Sequence, residues 1–178
     1  GNNDPGLPLC LMTLAIIMLE QNQTEEAFNY LSDAIQRLYS SKLPSWLLIK
    51  SYEMLSSIYT EHGTPDDVIE VLQKGLKQMK FKDDPEKIAF LWLKLSMVYD
   101  QDKGDFQKGM ELITDLIDKS KGIEGMERVL ANSYNVLGET LKSLRRFNEA
   151  SEAFEKSSNY YLQLGDKKMG VATKSMGC

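Results

Sequence analysis

Residues 131–157 read ANSYNVLGETLKSLRRFNEASEAFEKS. Tyr134, Leu137, Gly138 and Leu141 recur at steps of three and four, as do Ala150, Phe154 and Ser157 after them. That spacing places the apolar and small side chains of each run on one face of a helix. Set against the rest of the chain, the pattern returns. Tyr52, Leu55, Ser56 and Tyr59 precede Val68 and Leu72, and Trp92, Leu95, Ser96 and Tyr99 precede Gly109 and Ile113. A weaker copy has Leu11, Leu14, Ala15 and Met18, then Ala27, Leu31 and Ala34. The copies start near Pro8, Ile49, Ala89 and Ala131.

Punctuation supports two helices per copy. Thr24-Glu25-Glu26 and Thr64-Pro65-Asp66-Asp67 each set an N-cap hydroxyl before acidic residues, and Asp84-Pro85-Glu86 repeats the device. A hydroxyl or carboxylate there accepts from the free amides of the first turn, and proline at the first helical position sacrifices no intrahelical bond. His62-Gly63 and Leu164-Gly165 mark helix ends, where glycine is expected to turn left-handed. Eight helices in four hairpins are predicted. Small residues on facing helices let the backbones approach, with Gly138 and Ala150 the best such pair. The aromatics Tyr52, Tyr59, Trp92, Tyr99, Tyr134 and Phe154 are expected to fill the space between helices.

Composition narrows the classes. The chain has 178 residues, 42% hydrophobic and 26% charged, as folded globular chains have. A net charge of −5 argues against a nucleic-acid partner, whose phosphates need cations. Two cysteines at opposite ends, Cys10 and Cys178, make neither a disulfide scaffold nor a zinc site. An intracellular compartment, cytoplasmic or nuclear, is expected. Leu7 to Leu19 is apolar but too short to span a bilayer, and no membrane partner is implied. Asn22-Gln23-Thr24 has the form of a glycosylation acceptor, but a helix-helix turn accounts for it.

The residues of the four copies resemble the tetratricopeptide repeat family, whose signature is W-x2-L-G-x2-Y followed by A-x3-F-x2-A. The copies are spaced about forty to forty-two residues apart rather than the usual 34, which is similar to the long-repeat branch with kinesin light chains and spindle-orientation adaptors. Asn135 to Gly138, Arg146 to Ala150 and Leu164-Gly165-Asp166 carry this likeness. The resemblance implies an all-α fold, a right-handed superhelical solenoid of about four hairpins with the start of a fifth. Repeats are expected near 8–44, 45–84, 85–124 and 125–165, with a partial helix at 166–178, in one domain belonging to a longer solenoid.

Chemistry is sparse. One histidine, His62, stands at a helix end, where it suits the helix dipole. Asp100, Asp102, Asp105 and Glu111 have the outline of a calcium loop, but Gly104 supplies no ligand and Asp105 replaces the glycine of the sharp turn. The segment reads instead as a one-residue insertion between helices. Lys74, Lys77, Lys80, Lys82 and Lys87 form a basic run interrupted by Asp83, Asp84 and Glu86, a solvated face. No catalytic residue, cofactor, metal or small-molecule substrate is implied.

By the family's register, the first helices line a concave groove. It comprises Lys50, Glu53, Met54, Ser57 and Glu61, then Phe90, Leu93, Lys94, Met97 and Gln101, then Asn132, Asn135, Val136, Glu139 and Lys142. Leu9, Met12, Thr13, Ile16 and Leu19 add an apolar strip. The asparagine ladder of the adaptor branch is mostly replaced by leucine, methionine or lysine. The function expected is a non-enzymatic adaptor that holds a partner helix or extended segment in the groove, anchored on Phe90, Leu93, Met97 and Met54. The alternatives are a structural spacer or self-association segment, and a regulatory enzyme subunit in which Glu139 or Gln101 orients water.

Overall fold

A computed structural model describes residues 5–39, 41 and 43–177. The expectations placed on Cys178 and on the first four residues lie outside the described residues. Every described element is helical. They are α1 (Gly6–Glu20), α2 (Thr24–Tyr39), α3 (Ser45–His62), α4 (Pro65–Gln78), α5 (Pro85–Met97), α6 (Phe106–Ser120), α7 (Glu127–Ser143), α8 (Phe147–Gln163) and α9 (Lys167–Met176). A 3-10 turn, Phe81–Asp83, precedes α5, and a π turn, Val98–Asp102, follows it. The chain forms two compact units, Gly1–Ile88 and Ala89–Cys178.

In the first unit α1 packs on α2, α2 on α3, and α3 on α4. Buried Ala15, Ala27, Leu31, Ala34, Leu47, Tyr52 and Leu72 build its interior. Tyr52 is fully enclosed because α4 carries Gly75, where a Cβ would come within 2.9 Å of its ring. Its hydroxyl donates to Gln78 Oε1 at 2.8 Å, which satisfies the one polar atom that burial would otherwise strand. Phe28 and Tyr59 meet edge to face at 5.7 Å.

In the second unit α7 packs on α6 and α8, and α8 on α9. Leu141, Ala150, Ala153 and Phe154 form one cluster, with Met110 and Leu137 against it. Ile117, Leu130 and Tyr134 form another. Hydroxyls tie the helices across these clusters: Ser157 donates to the Ala131 carbonyl and Ser158 to the Gly170 carbonyl, both at 2.7 Å. The expected partner of Gly138 is corrected here. The Phe154 ring, rather than Ala150, fills the place of its missing side chain, and a Cβ there would lie 2.6 Å from the ring. Glycine thus makes room for a ring in both units.

The caps follow the sequence with two exceptions. Thr64 and Asp67 form a reciprocal capping box: the Asp67 amide donates to Thr64 Oγ1 at 3.3 Å, and the Thr64 amide donates to Asp67 Oδ2 at 2.8 Å. Bonds from Thr64 hold the Asp67 carboxyl below its ordinary value. The box therefore contributes its stability above the ordinary aspartate range and loses it as pH falls through the lowered value. Thr64→Ala is expected to lower unfolding free energy by about 1 kcal/mol, read from urea denaturation. Thr24, by contrast, is the first residue of α2, and the α-helical ladder there starts from the Gln23 carbonyl. Gly63 is extended at φ −111°, not left-handed. It is held by space, since a Cβ would meet the Tyr59 ring at 2.7 Å. Gly165 does turn left-handed, at φ 77°, as expected; Asn22 and Arg145 at 59°, Gly104 at 67°, Gly122 at 78° and Gly125 at 84° are the other left-handed residues among those described.

Candidate binding grooves

The predicted groove residues sit on first helices of hairpins, in two separate places. In the first unit, Lys50, Glu53, Met54 and Ser57 share one face of α3, because Glu53 and Met54 lie three and four residues from both Lys50 and Ser57. They meet Ile16 and Leu19 of α1 around a cavity of about 620 Å³ that Glu61 and His62 also line. Lys50 donates to Glu53 at 2.9 Å, an exposed pair that orders both side chains and adds little energy. His62 lies 3.8 Å from Glu61 at the groove's rim.

The second unit has its own cavity, about 600 Å³, between the end of α5 with its π turn and α7. Met97, Gln101, Asn135, Val136 and Glu139 line it, with Phe106 of α6 at the edge. Five residues expected in the groove, Met97, Gln101, Asn135, Val136 and Glu139, are brought together there. Glu139 faces Lys142 at 3.8 Å. Phe90 and Met97 are exposed at 47% and 38%, seven residues apart on one side of α5. Leu93, which falls between them, is buried at 6% exposure and belongs to the core. Lys94 is half-buried on the same helix. Asn132 is engaged from behind, its Oδ1 accepting from the Tyr161 hydroxyl. Of the apolar strip on α1, Met12 is buried, whereas Leu9 and Ile16 are exposed.

Sequence reasoning passed over Asp100 and Thr140 as parts of this groove. Asp100 is 8% exposed, and Thr140 on α7 bonds its Oδ2. Burial pushes the carboxyl above its ordinary value; the Thr140 hydroxyl opposes this and Asp105 adds to it. The π turn places the residue inward. It absorbs the extra residue that the sequence suggested, turning the chain once more before Gly104 takes the left-handed conformation. A calcium loop is not assembled: Asp100 turns inward, and Glu111 faces Lys108 on the exposed side of α6 at 3.1 Å. The signal in the sequence was Gly109, the one small residue in the place of alanine opposite an acidic residue.

A third cleft, about 490 Å³, opens in the first unit over α3 between α2 and α4, with Phe28, Tyr39, Tyr52 and Tyr59 in its walls. Tyr52 and Tyr59 were read as core, and Tyr59 is only half-buried. Burial and the nearby Asp67 and Glu70 raise the Tyr59 hydroxyl above its ordinary value. The lysine run is exposed, with Lys87 bound to Asp84 at 2.8 Å. Among the described residues, no helix is long and apolar enough to cross a membrane.

Residues 131–159 match the tetratricopeptide repeat family model. Solved structures share the fold over nearly the whole chain. BtubC (BKLC) from P. vanneervenii has 18% identity and a TM-score of 0.62, covering 94% of this chain and 76% of that one. A putative kinesin light chain from Podosopora anserina with nearly identical repeats has 18% identity and a TM-score of 0.64, over 90% and 78%. MamA from Desulfovibrio magneticus RS-1 has 12% identity and a TM-score of 0.57, over 96% and 92%. No curated protein matches the chain. Folds of this kind commonly mediate protein–protein interaction, and such repeat scaffolds are generally non-enzymatic.

Proposed function

From a chain that carries a tetratricopeptide repeat at residues 131–159 and the fold of such repeats, we propose a protein-interaction scaffold that holds a partner helix or extended segment on its first-helix faces. The observation that carries this reading is the pairing of exposed anchors with a cavity on one helix face. Phe90 and Met97 project from α5, and the space beside Met97 is walled by Asn135, Val136 and Glu139. A partner's apolar side chain entering that space would shed water from both surfaces, while Asn135 and Glu139 at its edge accept or donate to the partner's backbone. Methionine suits such a surface because its unbranched side chain repacks around different shapes. Met54, with Lys50, Glu53 and Ser57 around it, offers a second anchor of the same kind in the first unit.

The test is a ligand selected from a helical-peptide library against the whole chain, then measured by calorimetry. Phe90→Ser with Met97→Ser is expected to weaken binding at least tenfold while leaving the helical circular-dichroism signal unchanged, because neither side chain supports the core. Lys80→Glu, on the exposed lysine face, is expected to leave affinity within twofold. Full affinity in the double variant would remove α5 as the docking face. Leu93 is kept out of the variant because charging a buried leucine would unfold the second unit.

A further inference from the structure

We propose that Asp100 is a proton-binding site of the second unit: its carboxyl proton completes a hydrogen-bond chain from the π turn through Thr140 to the Val136 carbonyl on α7, beneath the cavity walled by Met97 and Asn135.

The inference rests on hydrogen-bond counting in a closed space. Thr140 Oγ1 lies within reach of two acceptors, Asp100 Oδ2 and the Val136 carbonyl, the latter at 3.0 Å, and its hydroxyl has one proton. Asp100 Oδ1 is buried with no hydrogen-bond partner among the described residues. It rests against Gly109, where even a methyl group would overlap it. An ionised carboxylate in this place would have one donor for a full charge, which the interior tolerates poorly. A protonated one closes the chain: Oδ2–H donates to Thr140, Thr140 donates to Val136, and Oδ1 remains as a neutral carbonyl.

The main influences on the carboxyl are burial, the Thr140 hydroxyl and Asp105, none of them a cation. On the π turn and its exit are Asp102, Lys103 and Asp105. The last caps α6 by accepting from the Lys108 amide at 3.1 Å, and its charge favours a protonated Asp100. On α6, Lys108 is turned to Glu111; on α7, Lys142 is turned to Glu139; on α5, Lys94 is half-buried. Desolvation, the largest effect on the carboxyl, acts in the same direction. Because the folded-state value is raised, the stability that the proton adds is complete below the unfolded value of 3.8 and is lost as pH rises through the folded value.

The test follows the Asp100 carboxyl carbon and the Met97 methyl by NMR from pH 3.5 to 8.5 on the whole chain, alongside urea denaturation of wild type and Asp100→Asn. Asparagine keeps the shape and donates to Thr140 as the acid does. The carboxyl carbon is expected to titrate above the ordinary aspartate value, with the Met97 methyl shifting at the same midpoint and not in Asp100→Asn. The urea midpoint of Asp100→Asn is expected to exceed that of wild type at pH 8 by a gap that closes towards pH 4. Titration at or below the ordinary value, or a midpoint difference that does not change with pH, would overturn the proposal. Should Asp100→Asn fail to fold, the wild-type carboxyl titration decides alone.

Discussion

Phe154→Ala is expected to lower the unfolding free energy of the second unit by about 3–5 kcal/mol. The side chain is 1% exposed, and Leu141, Ala150 and Ala153 surround it on two helices. Neither helix can collapse into the space it leaves, because hydroxyl bonds from Ser157 to the Ala131 carbonyl and from Ser158 to the Gly170 carbonyl hold α8 against α7 and α9. The cavity term therefore adds to the lost transfer energy. A stronger test lies in its coupling to Gly138. Alone, Gly138→Ala gains about 1 kcal/mol of helix propensity but drives a methyl into the ring, with three ring carbons at 2.6–2.8 Å, at a cost of about 1–3 kcal/mol. In the Phe154→Ala background the ring is gone and only the gain remains. Gly138→Ala should thus destabilise wild type and stabilise the Phe154→Ala protein, a change of sign that urea denaturation of the four proteins would read directly. Additive effects would mean that the ring does not occupy the glycine's space.

The same pair shows how far the sequence could be read. Helix positions were legible because the period is strong: apolar residues at three and four recur four times, and each repetition narrows the choice. Contacts across a hairpin were less so. Spacing puts Gly138 on the buried face, but which residue of α8 meets it depends on how far one helix is slid along the other. Ala150 and Phe154 lie one turn apart on the same face of α8, so a slide of about 6 Å along the axis is enough to exchange one for the other. The groove has the same character. Every predicted residue but Gln101, which falls in the π turn, lies on a first helix, since the register of the repeat carries them there. Burial within that helix followed finer packing: Leu93 turns to the core between Phe90 and Met97, which are exposed. Gly63 was read correctly as a helix stop for the wrong reason, because sequence cannot distinguish a glycine needed for its backbone angle from one needed for the space that Tyr59 takes.

Asp100 was the least legible residue, and Gly109→Ala exposes why. In sequence an aspartate among Asp102, Lys103 and Asp105 looks like loop surface. The π turn changes its direction by adding a residue to the helical circuit, and the carboxylate swings under α6 into a space that exists only because residue 109 has no side chain. A Cβ on residue 109 would sit 1.6 Å from Asp100 Oδ1 and 2.6 Å from Cγ, with the Ser96 carbonyl at 3.1 Å behind it. No rotation of a neighbouring side chain relieves a clash this deep while Asp100 keeps its bond to Thr140. Gly109→Ala is therefore expected to expel the carboxylate. It loses a buried hydrogen bond and overpacks the junction of α5, α6 and α7, a destabilisation of about 2–5 kcal/mol after the helix-propensity gain of alanine. Asp100→Ala should recover most of that loss in the Gly109→Ala protein, because the new methyl then fills the space that the carboxylate vacated. In the wild-type background the same substitution should be unfavourable, taking the Asp100 bond from Thr140 and leaving Gly109 facing a void. Recovery in the double variant would also restore the groove, which rests on the same junction. Rescue of stability without rescue of peptide affinity would place the Asp100 contact in the binding face itself.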